Sequence, residues 1–405
     1  MDVVYERCCG LDIHKASITA CVMVGGKKEI RTFGTMTDDL LQMTAFLKEQ
    51  AVQMTAMEST GSFWKPIFNI LEVEGIAAIL VNAAYIKSVP GRKTDVKDAE
   101  WIADLLRHGL LRASFVKPRD QRELCELIRY RGSLIEERAS EYNRMGKVLE
   151  GANIKLTSVA SKMDTVSGMN MIRALSNGVV DSELLASMAK GRMRSKTDEL
   201  KRALNGLVAP HQQMILKAML GHIDQLGKLI ATLDTEIETR MSQDVELIEA
   251  LDEITGVGKI SAQTIIAEIG TDMDRFPSAN HLASWACMCP SNNESAGKKK
   301  SGKTKRANST LKKTLVQSGR AAGNSKDTYL NALFQRIASR RGAKRAAVAV
   351  GHAILVICYH MIKNRTRYNE LGADYFRHHN RDALIRQNVR RLEALGFAVT
   401  LEEVA

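Results

Sequence analysis

The sequence predicts an α/β N-terminal domain built on a mixed sheet, followed by a mostly α-helical remainder. Three observations carry that prediction. Every segment that reads as a strand falls between residues 3 and 81. Apolar residues recur at helical spacing through most of 119–363. Aromatics are only 5% of the chain and prolines number 6, a composition that favours helix over strand or disorder. A length of 405 residues exceeds one ordinary domain and predicts two or three.

The N-terminal elements follow in order. Val3 to Tyr5 leads into a strand at Cys8 to Asp12, Ala16 to Met23 forms a second, and Gly25-Gly26 marks a tight turn into a third at Glu29 to Phe33. Thr37 is the expected N-cap of a helix through Leu40, Leu41, Phe46 and Leu47. A strand at Met54 to Glu58, a helix at Trp64 to Glu74 and a strand at Ala77 to Val81 come next. A helix carrying Trp101, Ile102, Leu105 and Leu106 closes the unit. An antiparallel meander followed by αβ units predicts a mixed sheet covered by helices, in the element order of the ribonuclease-H-like fold. Residues 1–115 are assigned to this domain.

Residues 116–245 form a second region, with one long polar-rich helix from Arg119 to Leu149. Between His211 and Met241 a heptad is readable. Leu216, Ile223, Ile230 and Ile237 share one position, and Met219, Leu226 and Leu233 fall three residues later. This a/d seam predicts a coiled coil between subunits, with packing inside one subunit as the alternative. Residues 246–365 form a third region. In it, Ile254-Thr255-Gly256-Val257-Gly258-Lys259 lies between two apolar segments, the pattern of a helix-hairpin-helix. Gly256, Gly258 and Lys259 could then approach a nucleic-acid phosphate at a helix N-terminus. A plain helical hairpin is the competing reading. Helices are expected at about 308–323, 327–340 and 343–363, the last apolar and buried. Residues 366–405 are a basic, then mildly acidic, tail.

Charge is unevenly placed. The net is +12, yet residues 1–110 hold 12 Lys/Arg against 14 Asp/Glu, while residues 298–391 hold 23 against 4. A block of that size points to nucleic acid more than to a small anion. The seven cysteines match neither a zinc nor a disulfide framework and read as reduced thiols of a cytosolic protein. No run reads as a membrane span and no signal layout opens the chain, so a cytoplasmic location without membrane contact is expected.

Two constellations carry chemistry. Asp12 ends the first strand, Glu58 ends the fourth, and Asp95 and Asp98 stand three apart in Lys93-Thr94-Asp95-Val96-Lys97-Asp98, on one helical face. Carboxylates that converge repel unless cations neutralise them, and hard oxygen ligands suit Mg²⁺ or Mn²⁺. Two such ions can clamp the attacking and leaving oxygens of a phosphodiester. Asp95 as a helix cap and Asp98 as a dipole partner are the plainer readings. The second constellation is Cys289-Pro290-Ser291-Asn292-Asn293-Glu294-Ser295-Ala296-Gly297-Lys298-Lys299-Lys300-Ser301-Gly302-Lys303. A serine among lysines could attack a phosphate, the lysines stabilising the added charge. On its residues alone, with no paired base in view, it reads rather as a phosphate-binding loop without covalent chemistry.

Taken together, G-L-D-I-H-K at 10–15, M-E-S-T-G at 57–61, K-T-D-V-K-D-A-E at 93–100, I-T-G-V-G at 254–258, C-P-S-N-N-E-S-A-G-K at 289–298 and S-G-K-T-K-R-A-N at 301–308 resemble one family. It is that of the DEDD-type insertion-sequence transposases, described as bridge-RNA-guided DNA recombinases. The resemblance spans the chain. It implies a RuvC-like domain at 1–115, a coiled-coil oligomerisation region at 116–245 and a transposase domain at 246–365. Asp12, Glu58, Asp95 and Asp98 would bind Mg²⁺. Ser295 would be the nucleophile that links covalently to DNA, with Ser291 as the lesser alternative. Lys15, Lys93, Lys298, Lys299, Lys300, Lys303, Lys305 and Arg306 would join Gly256, Gly258 and Lys259 in holding nucleic acid. Target and donor DNA, a structured bridge RNA, and dimers assembling to a tetramer are the implied partners, with nucleoid association in a bacterial cytoplasm. The sequence departs from the family pattern at Ala296, where glycine is common, and at Ala307-Asn308, which replaces Gly-Asn.

Three other classes stay open on the residues. A plain RuvC-like nuclease would use the four acids without Ser295. A regulator would bind nucleic acid without cutting it. An actin-like phosphotransferase would share the first strand but leaves the basic half unexplained.

Overall fold

The computed structural model describes residues 2–59, 61–82, 98–160, 162–290, 293–295, 298–301, 309–376 and 381–401. The chain forms two compact units, Met1–Pro118 and Arg119–Ala405.

The first unit is built on a six-stranded mixed sheet. Strands β1 (Arg7–Ile13), β2 (Ile18–Val24) and β3 (Lys27–Phe33) form the antiparallel meander expected from the Gly25-Gly26 turn. Helix α1 (Thr37–Glu49), strand β4 (Met54–Glu58), helix α2 (Trp64–Val73) and strand β5 (Ala78–Val81) follow. Helix α3 (Asp98–Arg107) and the two-residue strand β6 (Ala113–Ser114) complete the unit. The sheet order is β3-β2-β1-β4-β5-β6, with β4 parallel to β1 and β5 parallel to β4. Helix α1 begins one residue earlier than the sequence suggested. Met36 is its N-cap, and Asp39 in the first turn accepts a hydrogen bond from the Met36 amide at 3.2 Å, replacing a Thr37 cap.

Both faces of the sheet are covered, which explains why β1 reads as a near-continuous apolar run. Side chains alternate across a strand, so Cys9 and Leu11 enter the core formed with Leu40, Met43 and Leu47 of α1 and Ile67 and Leu71 of α2. Cys8 enters the opposite core, with Ala99, Ile102, Leu105 and Leu106 of α3. Helix α3 lies directly on β1. A Cβ on Gly10 would stand 2.2 Å from the Ala99 carbonyl oxygen and 2.4 Å from the Ala103 nitrogen, so only glycine admits this approach.

The second unit is helical. Helix α4 (Arg119–Gly151) comes first. The short helix α5 (Leu156–Val159) is followed by α6 (Val166–Ser176), α7 (Ser182–Ser187) and α8 (Thr197–Leu204). Helix α9 (Pro210–Arg240) is the second long helix. Helices α10 (Val245–Asp252), α11 (Lys259–Ile269) and α12 (Ala279–Trp285) precede a small antiparallel hairpin of β7 (Asn293–Ser295) and β8 (Lys298–Ser301). Then come α13 (Ser309–Ala322), α14 (Tyr329–Arg341), α15 (Ala343–Asn364) and α16 (Arg381–Ala394).

Helices α4 and α9 run antiparallel. Glu123 pairs with Arg240, Arg131 with Asp234, and Glu137 and Glu141 lie near His222. Leu216, Ile223, Leu226, Ile230 and Ile237 of the heptad are all buried within the chain. Leu226 and Ile230 pack on Leu134 of α4. The seam expected to join two subunits is therefore closed by a helix of the same chain. One end of this pair sits in a core with α6 to α8, and the other in the core formed by α10 to α15. Helix α15 is long and apolar enough to cross a membrane by composition, and more than half of its apolar window is buried in that core.

Two outcomes follow. Gly10→Ala should cost the first unit about 3 kcal/mol or more, because the obstructing atoms are backbone. Calorimetry would read this as an earlier unfolding transition, and an unshifted one would refute the close α3–β1 approach. Ile230→Asp should destabilise the second unit by roughly 3–5 kcal/mol through a buried, unpaired charge. Unchanged melting together with a fall in molar mass by light scattering would instead assign the seam to a subunit contact.

Candidate active site

The alternation of β1 and β4 decides where the acids go. On β1, Cys8 and Gly10 face α3, so Asp12 shares that face. On β4, Ala56 enters the α3-side core, so Glu58 shares it too. The strands are parallel neighbours with Leu11 opposite Met57, which places Asp12 and Glu58 side by side at the carboxyl end of the sheet. Asp98 opens α3, one residue before the Ala99 carbonyl that sits over Gly10. Two strands and one helix thus bring Asp12, Glu58 and Asp98 to one end of one face. Asp95 and Lys93 lie outside the described residues.

Asp12 and Glu58 are partly exposed, and Asp98 is exposed. The Asp12 carboxylate lies 3.1 Å from His14 Nε2, and the His14 amide donates to the Ser17 carbonyl across the β1–β2 turn. His14 was not singled out from the sequence. Its i+2 spacing from Asp12, on the same side of an extended chain, was the available signal. The donor set of the acids is all oxygen, which fits a hard divalent cation. Among the described residues, no three of His, Cys, Asp and Glu are grouped closely enough to hold an ion. The Lys15 side chain is exposed and its carbonyl accepts from Thr35 Oγ1 at 3.2 Å.

Ser295 stands at the end of β7, with Lys298 as its cross-strand partner in β8. The segment read as a loop thus contains two paired strands. Lys299 and Lys300 continue β8. Ser291, Lys303, Lys305 and Arg306 lie outside the described residues.

Helices α10 and α11 form a helical hairpin. Gly256 has φ +85°, and a Cβ there would stand 2.4 Å from the Ser318 carbonyl oxygen of α13. Its glycine is thus required by packing inside the chain. Gly258 is the N-cap of α11, and Lys259 Nζ reaches Glu238 Oε1 at 2.6 Å, which holds the Glu238 carboxyl below its usual range.

None of the seven cysteines forms a disulfide. Cys8 and Cys9 sit on the strand that carries Asp12 and are fully buried. Burial pushes the Cys8 thiol up to about 11, against the opposing pull of Arg107, and pushes Cys9 well above its usual value.

Comparison with known proteins gives these observations a family. A model for the DEDD transposases of the IS110 type, described as a transposase, matches residues 9–154. A second, described as the transposase IS116/IS110/IS902 family, matches residues 248–335. Together they span more than half of the chain. The transposase for insertion sequence element IS1111A of Coxiella burnetii is 24% identical over 369 residues, covering 89% of this chain and 90% of its own length. A protein described as a probable family 20 transposase from Pseudomonas aeruginosa is 23% identical, covering 81% and 89%. The matches define the class as a DEDD transposase, an enzyme that acts on DNA in transposition. Within that class, the chain belongs to the IS110 family.

The buried thiols make the first unit sensitive to alkali. A raised folded pKa favours the neutral thiol, so the stabilisation is complete below about pH 9 and is lost as pH rises through about 11. The first unit's melting temperature should fall across that window, and Cys8→Ala should flatten the fall. Equal slopes in both proteins would reject the assignment.

Proposed function

We propose that this transposase cuts and rejoins DNA strands through a covalent serine intermediate at a metal-dependent acidic site. The observation that carries the reading is the placement of Asp12 and Glu58 on one sheet face, beside the helix that starts at Asp98. With Asp95 they would hold Mg²⁺ or Mn²⁺, which would neutralise the carboxylates and polarise a phosphoryl oxygen. His14 would orient the Asp12 carboxylate, as an imidazole at 3.1 Å can.

Ser295 is the proposed nucleophile. Its oxygen bonds to a DNA phosphorus, the bond to one DNA oxygen breaks, and the serine proton passes through solvent to the leaving hydroxyl. Attack by a new DNA hydroxyl on the phosphoserine then rejoins the strands and frees the serine. Lys298, opposite Ser295 in the hairpin, would counter the charge that builds on the phosphoryl oxygens. The family resemblance supports a structured bridge RNA as guide. In that arrangement base pairing selects sites while the protein holds backbones. The excess of Lys/Arg over Asp/Glu in residues 298–391 supplies the charge for this. The resemblance likewise supports dimers that assemble to a tetramer. With the heptad seam closed inside the chain, such contacts fall on other surfaces.

The test uses full-length protein, Mg²⁺, the element's end RNA and a labelled target duplex. A protease-sensitive protein–DNA adduct should form, and Ser295→Ala should abolish it. Asp12→Asn should lower strand cleavage by at least about 10²-fold, the scale of removing one electrostatic contributor. Cleavage that yields free ends without an adduct would replace the proposal with hydrolysis by the acidic site.

A further inference from the structure

A cavity of about 410 Å³ lies in the second unit where α4, α11 and α13 meet. Its wall is rich in groups that bind anions. Arg131 lines it from α4 and is 1% exposed. Arg131 Nη1 donates to Asp234 Oδ1 at 2.9 Å and to Gln263 Oε1 at 2.7 Å, while Nε and Nη2 are buried without a hydrogen-bond partner. Such donors are rarely left unused in a folded protein.

The first turn of α11 borders the same cavity through Ile260 and Ser261. Its N-cap is Gly258, which offers no side-chain cap to the Lys259, Ile260 and Ser261 amides, while the Ala262 amide donates to the Gly258 carbonyl at 2.9 Å. The positive end of that helix dipole adds to the Arg131 charge. Helix α13 contributes Thr310, Lys313, Thr314 and Gln317, four residues spaced along one face. Glu136 is the one carboxylate on the described wall, and it is engaged by Lys313. The remaining wall cation, Arg129, is held bidentately by the fully buried Glu268 at 2.8 and 2.9 Å.

We infer that this cavity seats a phosphate of the DNA backbone. The seat uses none of the acidic or serine residues and rests on the reading that the chain binds DNA. Arg131 and the α11 amides form its floor, and Lys313 swings from Glu136 to the incoming phosphate. An anion fits there because Lys313, the first turn of α11 and Arg131, whose Nε and Nη2 have no hydrogen-bond partner, border one partly enclosed space.

Binding of a 20-base-pair duplex is measured against salt in metal-free buffer, using the full chain. Lys313→Gln should reduce the magnitude of the log–log salt slope by about one, the loss of one phosphate contact. Lys326→Gln removes the same charge from an exposed site elsewhere and should change it less. Arg131→Met should weaken the duplex further, with circular dichroism confirming that it folds. Inorganic phosphate, at matched ionic strength, should raise the melting temperature of wild type more than that of Lys313→Gln. A steep wild-type slope left unchanged by Lys313→Gln would overturn the seat alone. Phosphate stabilisation with an unchanged slope would show a free-anion site and would also overturn it. A flat wild-type slope would overturn the DNA-binding reading with it.

Discussion

The approach of α3 to β1 at Gly10 is the contact on which the candidate active site depends. A helix that packs on a sheet normally stands off by the depth of its side chains. Here the Ala99 and Ala103 backbone lies where a Cβ of Gly10 would be. Small residues on the helix and glycine on the strand let the two come together. Asp98 is thereby carried to the sheet end where Asp12 and Glu58 already lie. The same packing buries Cys8 and Cys21 beneath α3, and burial pushes the Cys8 thiol up. Acidic chemistry at one end of the sheet and a dry, inert core behind it are two results of one steric choice.

Much of this was legible in the residues. Glycine pairs, β-rich runs and helical spacing gave the meander, the two parallel strands and nearly all the long helices. The acids at strand ends stood out because a carboxylate after an apolar run is poorly explained as a solvated side chain. What escaped was whatever depends on partners distant in sequence. The heptad at 216–237 states that one helix face is buried, but periodicity cannot say whether the covering helix belongs to the same chain. Helix α4, about 90 residues earlier, turned out to be that cover. The glycine of Thr255-Gly256-Val257 likewise announced a close approach without saying to what. The structure answers with the backbone of α13.

Local chemistry misled in two smaller places. Thr37 is the better cap by residue type, yet Asp39 reaches back to the Met36 amide and sets the helix start one residue earlier. The run around Ser295 is so polar and basic that it reads as a loop, although its ladder pairs Asn293 to Ser295 with Lys298 to Ser301. Strand propensity is weak there, and cross-strand pairing carries the element. Arg131 shows the reverse limit. A single arginine in a helix rich in arginine gave no sequence signal, and only burial distinguishes it from its neighbours.

The paired helices α4 and α9 have a mechanical consequence. With 33 and 31 residues they extend about 50 and 46 Å, and each end is clamped in a different core. Two helices zipped along their length resist bending far better than one. They act as a beam between those cores. A tilt of only about 5° at one clamp would displace the far end of such a beam by roughly 4 Å. Motion at either core is therefore delivered to the other as translation, with little lost to flexing between them.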